Sequence, residues 1–413
     1  MARKLIKIKD LNPGMYVDEI NCSLKERDLI GETRNFLIIG RHEIERLAAL
    51  GVQELYINPE KGLDYSDEDE ERKKANQAIA ELARLKNAQN AQAPKALADE
   101  LYEARVLLSK ARGELENTIA SLRAGRKIEI VAFLPLLMEI YKSVSDNKDA
   151  IVTVCRKKQK GGYALEHSVS HCALMMAFGQ TLEMERAAVL ELGLGGLFHD
   201  IGKIRVPDAI LDKPGKLTAE EMTIARKHPA WGGEFVKSAV GFPERALAVV
   251  MEHHERLDGT GYPNQLKDHA ISLFGQMAAI VDVYDACISI RAYGAAADPC
   301  LVIRQLFAGA GKQFHQELVQ QFIKTIGIFP VGTLARLESN KLAIVIRQTK
   351  SLTQPMVRIV YDLKHNCFMP PEDVDLSRPR PKMDKVVGHE SPEKWNIDPF
   401  RFISPELANI REE

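Results

Sequence analysis

About 200 residues, 128 to about 327, are patterned almost throughout for helix, and this constrains the fold more than any other feature of the chain. The strict apolar–polar alternation of strands is missing there. Pro and Gly gather instead at breaks such as Lys213-Pro214-Gly215 and Asp258–Pro263. Segments such as Leu190–Phe198 and Ala278–Val283 are too apolar to face water, so the helices have to bury one another, as in a bundle.

The flanks read differently. In residues 1–64, Leu5–Ile8, Met15–Ile20, Phe36–Ile39 and Val52–Ile57 have strand character. Glu43–Leu50 has helical spacing and ends at Gly51, a C-cap signal. A small α+β domain is expected. Residues 65–127 begin as a charged, Ala- and Gln-rich linker and continue as a helix. In that helix Leu101, Leu108, Leu115 and Leu122 fall seven apart, with Ala104 and Ala111 between them. This spacing fits a homodimeric coiled coil through residues 101–122 or a helix packed on the next domain. Residues 128–330 form the bundle. Residues 331–413 are expected to be a short β extension, carrying Leu342–Ile346 and Val357–Tyr361, followed by an irregular tail. The tail expectation rests on the Pro-rich, charged segment 377–399. The fold class is therefore mainly α, between two smaller flanking units.

Composition excludes some functions. The net charge is -1, so no global field draws the chain to a nucleic acid polymer or an anionic membrane. No run approaches the roughly 20 apolar residues of a membrane helix. The opening MARKLIKIKDLNPG lacks the apolar core of a signal peptide. The six cysteines include no C-x-x-C pair and read as reduced thiols. A cytoplasmic protein is expected.

Chemistry is concentrated in a few histidines and acids. His199-Asp200 ends the apolar segment Leu190–Phe198, where a buried carboxylate is costly unless paired or metal-bound. His253-His254 closes another apolar helix ahead of a Gly-rich loop. Asp282 lies inside an apolar run, His228 sits at a helix end, and His167 lies early in the helical segment Leu165–Leu182. Intervals of 24–31 residues separate these positions, enough for one or two helices and a loop each, so a bundle can bring them to one centre. Mixed His and Asp donors suit first-row divalent metals. Singly, each reads more readily as a structural or solvated histidine or a helix-capping Asp; only the set points to metal, and spacing alone leaves that reading open.

Three motifs narrow the choice. His199-Asp200-Ile201-Gly202-Lys203 resembles the HD-x-G-K signature of the HD phosphohydrolases. His253–Pro263 resembles the HH-E-x-x-D-G-x-G-Y-P signature of the HD-GYP subfamily, and Asp282–Ala286 followed by Arg291 resembles its next block. The resemblance runs from about His167 to Val319. Residues 1–64 resemble a small domain of unknown function often found ahead of HD-GYP domains.

The resemblance implies a helical HD-GYP bundle hydrolysing cyclic di-GMP to pGpG and onward to GMP. Two divalent transition-metal ions are implied, iron or manganese first, nickel or zinc as alternatives. His167, His199, Asp200 and Asp282 would hold one ion; Asp200 would bridge to a second held by His228, His253 and His254. A water activated between the ions would attack the phosphodiester. Asp200 and Lys203 are the implied catalytic residues. Lys203, Arg291, Asp258, Gly261, Tyr262 and Asp285 are the implied substrate contacts. Gly294 stands where the family often has Lys or Arg, three residues after Arg291, which puts one contact in doubt. Some relatives bind a third metal through a Glu four residues before the first His; here that position is Tyr163, so two metals are expected. His171 reads as structural. The GYP loop is a candidate surface for protein partners. A phosphodiesterase for another cyclic dinucleotide and a cyclic di-GMP receptor with little turnover are the other readings.

Overall fold

The computed structural model describes residues 3–11, 15–21, 36–38, 41–49, 51–59, 61, 97–156, 163–239, 241–289, 297–378 and 384–404. The expected linker, Cys22, Arg291 and Gly294 lie outside them, as does the Tyr163 side chain.

The N-terminal unit is an antiparallel sheet of β1 (Lys4–Lys7), β2 (Tyr16–Asn21), β3 (Phe36–Leu37) and β4 (Glu54–Ile57), with α1 (Arg41–Ala49) before β4. The sheet order is β1-β4-β2-β3. Val17, Leu55 and Ile57 are wholly buried, one face of the alternation the sequence carries. Gly51, at φ +84°, follows α1 in the left-handed conformation that suits glycine.

Helix α2 (Leu97–Arg123) leads into the bundle. Its Leu101, Ala104, Ala111, Leu115 and Leu122 are buried within this one chain. They pack toward α3 (Leu134–Arg156) and α4 (Tyr163–Thr181). Arg112 pairs with Glu166 of α4 at 3.0 Å, and Lys110 with Glu139 of α3 at 3.0 Å. Of the two readings of the spacing through residues 101–122, this packing favours the helix laid on the next domain, with Leu108 only partly buried. Helix α3 bends at Asn147 (φ −156°, ψ 94°), whose Oδ1 accepts from Asp149 N at 3.0 Å and so caps the second half.

Next come α5 (Arg186–Phe198), a 3-10 turn (Ile201–Arg205), α6 (Asp208–Leu211) and α7 (Ala219–Ala225). They are followed by α8 (His228–Lys237), α9 (Glu244–Glu252), α10 (Leu273–Cys287), α11 (Pro299–Ala308) and α12 (Gln316–Ile326). Helices α4, α5 and α10 are apolar on nearly every side because each is surrounded by others. Thr218 and Glu221 form a capping box at the start of α7.

The chain ends in a second antiparallel sheet: β5 (Leu334–Leu337), β6 (Lys341–Arg347), β7 (Met356–Asp362), β8 (Cys367–Asp375) and β9 (Val386–His389), ordered β8-β7-β6-β5-β9. Short helices α13 (Pro392–Trp395) and α14 (Pro399–Ile403) follow. The irregular reading of 377–399 is thus corrected. Val386–His389 adds to the free edge of β5, and Pro392 and Pro399 sit at helix starts, where a missing N–H costs nothing; Pro379 and Pro381 lie outside the described residues. Among the described residues, no helix is long and apolar enough to cross a membrane.

Candidate metal centre

The site forms where five helix ends or faces meet. His199 is the C-cap of α5 and Asp200 follows it. His228 opens α8, His253 and His254 follow α9, His167 lies on α4 and Asp282 on α10. Gly202 explains part of this convergence. A Cβ there would collide with the carbonyl of His228, so only glycine lets the turn after Asp200 lie against the start of α8.

All seven expected metal residues come together, in two clusters. His167, His199 and Asp282 form one; Asp200, His228, His253 and His254 form the other. Within each, one donor atom per residue lies within 4.8 Å of all the rest. Asp200 stands between the clusters. Its Oδ2 is 3.3 Å from His199 Nε2, and its Oδ1 is 3.2 Å from His228 Nε2. Asp282 also reaches both ways, with Oδ1 3.1 Å from His167 Nε2 and Oδ2 3.3 Å from His254 Nδ1.

The ring orientations decide what the clusters can hold. His199 Nδ1 donates to Gly196 O at 2.8 Å, His228 Nδ1 to Ala225 O at 2.7 Å, and His253 Nδ1 to Val250 O at 3.0 Å. A carbonyl only accepts, so each Nδ1 carries the proton and each Nε2 turns a lone pair inward. His167 Nδ1 likewise donates to Asp285 Oδ2 at 2.5 Å. Inside, His228 Nε2 faces His253 Nε2 at 3.2 Å, and His167 Nε2 faces His199 Nε2 at 3.3 Å. Burial holds His253 and His254 well below the usual imidazole pKa, so protons are not the shared positive charge. Buried Asp200 Oδ1 accepts no hydrogen bond. Acceptors facing acceptors in a buried space call for cations, and the donor set fits divalent metal.

The carboxylates are ready for that role. Burial pushes the pKa of Asp200 up, but Lys203 and then His199 outweigh it and hold the group well below the ordinary range. Burial raises Asp282 as well, and His254 and His167 outweigh it. Lys203 Nζ lies 2.6 Å from Asp200 Oδ2.

The expected substrate contacts divide. Lys203 is one-third exposed beside Asp200. The Tyr262 ring lies 4.5 Å from the His254 ring, with the Arg226 guanidinium 5.2 Å over its face. Three others have partners within the chain. Asp285 is 0% exposed and is bonded to His167, so it positions a ligand instead of meeting substrate. Asp258 Oδ1 is committed to Thr260 N at 3.0 Å and Thr260 Oγ1 at 2.6 Å, a local turn. Gly261 is buried, and a Cβ there would stand 2.5 Å from Arg256 N, so its backbone lies close against its own chain. Arg291 is outside the described residues. His171 belongs to neither cluster and stacks on His199 at 4.2 Å, consistent with its structural reading. Glu166 turns to Arg112, away from the centre.

Sequence reasoning passed over Glu255. It is 1% exposed, and its oxygens accept from Asn264 N at 2.7 Å and Leu266 N at 3.0 Å, pinning the loop below Tyr262. A Glu directly after the His pair was the available signal.

Comparison with known proteins agrees with this geometry. Residues 148–318 match the HD domain, and residues 3–133 match a domain of unknown function, DUF3391. A cyclic di-GMP phosphodiesterase of Pseudomonas aeruginosa is 36% identical over 395 residues, covering 95% of this chain and 94% of its own. A cyclic di-GMP phosphodiesterase response regulator of Xanthomonas campestris is 31% identical over 192 residues, 46% of this chain and 50% of its own. A 3′3′-cGAMP-specific phosphodiesterase of Vibrio cholerae is 38% identical over 127 residues, 30% of this chain and 24% of its own. With a relative matched along nearly its whole length and an HD domain that carries both His–Asp clusters, this chain belongs to the HD-GYP phosphodiesterase family.

Proposed function

We propose that this chain hydrolyses cyclic di-GMP to pGpG, and further to GMP, at a centre of two divalent transition-metal ions. The observation that carries the reading is Asp200, whose two oxygens face two separate sets of inward-turned imidazole lone pairs. His167, His199, Asp200 and Asp282 would hold one ion, and Asp200, His228, His253 and His254 the other. The His/Asp donor set tolerates iron, manganese, nickel and zinc, and the family resemblance puts iron or manganese first. Bound there, the ions supply a water acidic enough to attack at neutral pH and cancel charge on the phosphodiester.

The chain's own residues do the rest. Asp285 and the backbone carbonyls fix which ring nitrogen faces inward. Lys203, beside Asp200, would hold a phosphate oxygen and give a proton to the departing ribose 3′-oxygen. Tyr262, backed by Arg226, presents an aromatic face for a guanine. The described cysteines Cys155, Cys172, Cys287, Cys300 and Cys367 form no disulfides, which supports a cytoplasmic setting.

The test is product analysis. Purified protein loaded with manganese, or anaerobically with ferrous iron, is given cyclic di-GMP, and Asp200→Ala serves as control. pGpG or GMP from wild type alone supports the reading. Retained binding without turnover under any metal would leave a receptor.

A further inference from the structure

Beside the metal clusters lies a cavity of about 570 Å3 whose walls include Asp200 and Lys203. One wall comes from outside the HD match. Leu115, Glu116, Ile119, Ala120 and Arg123 of α2 line it as a single helical stripe. Facing them are Leu165 of α4, Leu197 of α5, and Ile204 and Leu211 beyond the Asp200 turn. The DUF3391 match extends to residue 133 and so includes α2.

We propose that α2 forms a guanine-nucleotide subsite of the active centre, which assigns a binding role to the last helix of the DUF3391 region. The inference rests on the reading of the centre as a cyclic dinucleotide hydrolase and names how one half of that substrate is held.

The chemistry of the walls selects the occupant. The volume lies within the range of small-ligand sites. Ile119, Leu165 and Leu211 offer apolar surface to the faces of a flat base, above the buried Leu115. Lys203 and Arg123 offer two cations, one beside the metal donors and one on α2, which suits a ligand with phosphate next to a base. Glu116 is exposed on the same stripe. Its carboxylate presents two acceptors, matching the N1–H and N2–H donors of guanine, whereas the corresponding edge of adenine carries an acceptor at N1. Tyr262 is not among the lining residues and lies against His254 and His228, on a different side of Asp200's own cluster from the α2 wall. The two halves of a cyclic dinucleotide would thus meet different walls, one built by the HD domain alone and one shared with α2.

GMP is the probe, because it carries the base and phosphate and has no phosphodiester to cut. Calorimetric titration of the full chain should show GMP binding in preference to AMP. Ala120→Trp, a substitution at an exposed position that fills the cavity, should weaken GMP by about tenfold or more, a loss of about 1.4 kcal/mol. Arg123→Glu should do the same by reversing charge on the exposed surface, and Glu116→Gln should narrow the preference over AMP. Absence of GMP binding in wild type, or unchanged affinity in Ala120→Trp and Arg123→Glu, overturns the subsite. Turnover of cyclic di-GMP by wild type is measured separately. GMP binding without turnover would sink the hydrolase reading and keep the subsite, and turnover with α2 variants indifferent to GMP would do the reverse.

Discussion

Asp285 grips His167 from behind: its Oδ2 takes the Nδ1 proton at 2.5 Å while Asp282, three residues earlier on α10, faces Nε2 of the same ring at 3.1 Å. One helix face therefore supplies both a donor to the centre and the group that aims its neighbour. Asp285→Asn keeps the shape and removes the charge. Metal affinity, measured by chelator competition, should fall about 10–100-fold, with far-UV circular dichroism unchanged. Equal affinity in the variant would remove Asp285 from the positioning role.

The heptad leucines of α2 should behave as core and not as interface. Leu101→Ala and Leu115→Ala each delete a fully or almost fully buried side chain. Each should cost about 2–5 kcal/mol in urea unfolding, independent of protein concentration. A concentration-dependent midpoint restored by dilution series of wild type would return the seam to a dimer.

Glu255→Ala should loosen the loop below Tyr262. Two backbone donors, Asn264 N and Leu266 N, lose their acceptor, at about 1–3 kcal/mol for each left buried and unsatisfied. Hydrogen exchange at those two amides should accelerate well ahead of amides in α10. Equal protection would mean the carboxylate is not what holds the loop.

Thiol reactivity should separate sharply at pH 8. Burial pushes Cys300 up to about 12 and also raises Cys172, so neither supplies thiolate. Cys367 is exposed on β8. Iodoacetamide followed by peptide mapping should modify Cys367 in the native protein and leave Cys172 and Cys300 untouched until urea is added.

The seven donors were legible because apolar helices ending in His or Asp are costly without a purpose, and the motifs around them are specific. Their inward aim was not. Which ring nitrogen faces the centre depends on carbonyls such as Gly196 O and Ala225 O, and backbone acceptors leave no mark in sequence. Asp285 and Gly261 were read from their motifs, and a motif records that a residue matters without recording the partners it has within the chain. The leucine spacing of α2 revealed a buried stripe, but the same spacing serves a partner helix in another copy or in the same chain. The Pro-rich composition of 377–399 hid β9, whose strand exists because β5 offers it an edge.

Sharing one carboxylate between two donor sets has a consequence for loading. A cation held in either cluster would compete with Lys203 for Asp200, and the other cluster would share that same carboxylate. Each ion then alters the affinity of the other by the same factor. Removing a donor from either cluster should therefore change cation binding at both, not only at the cluster that lost it.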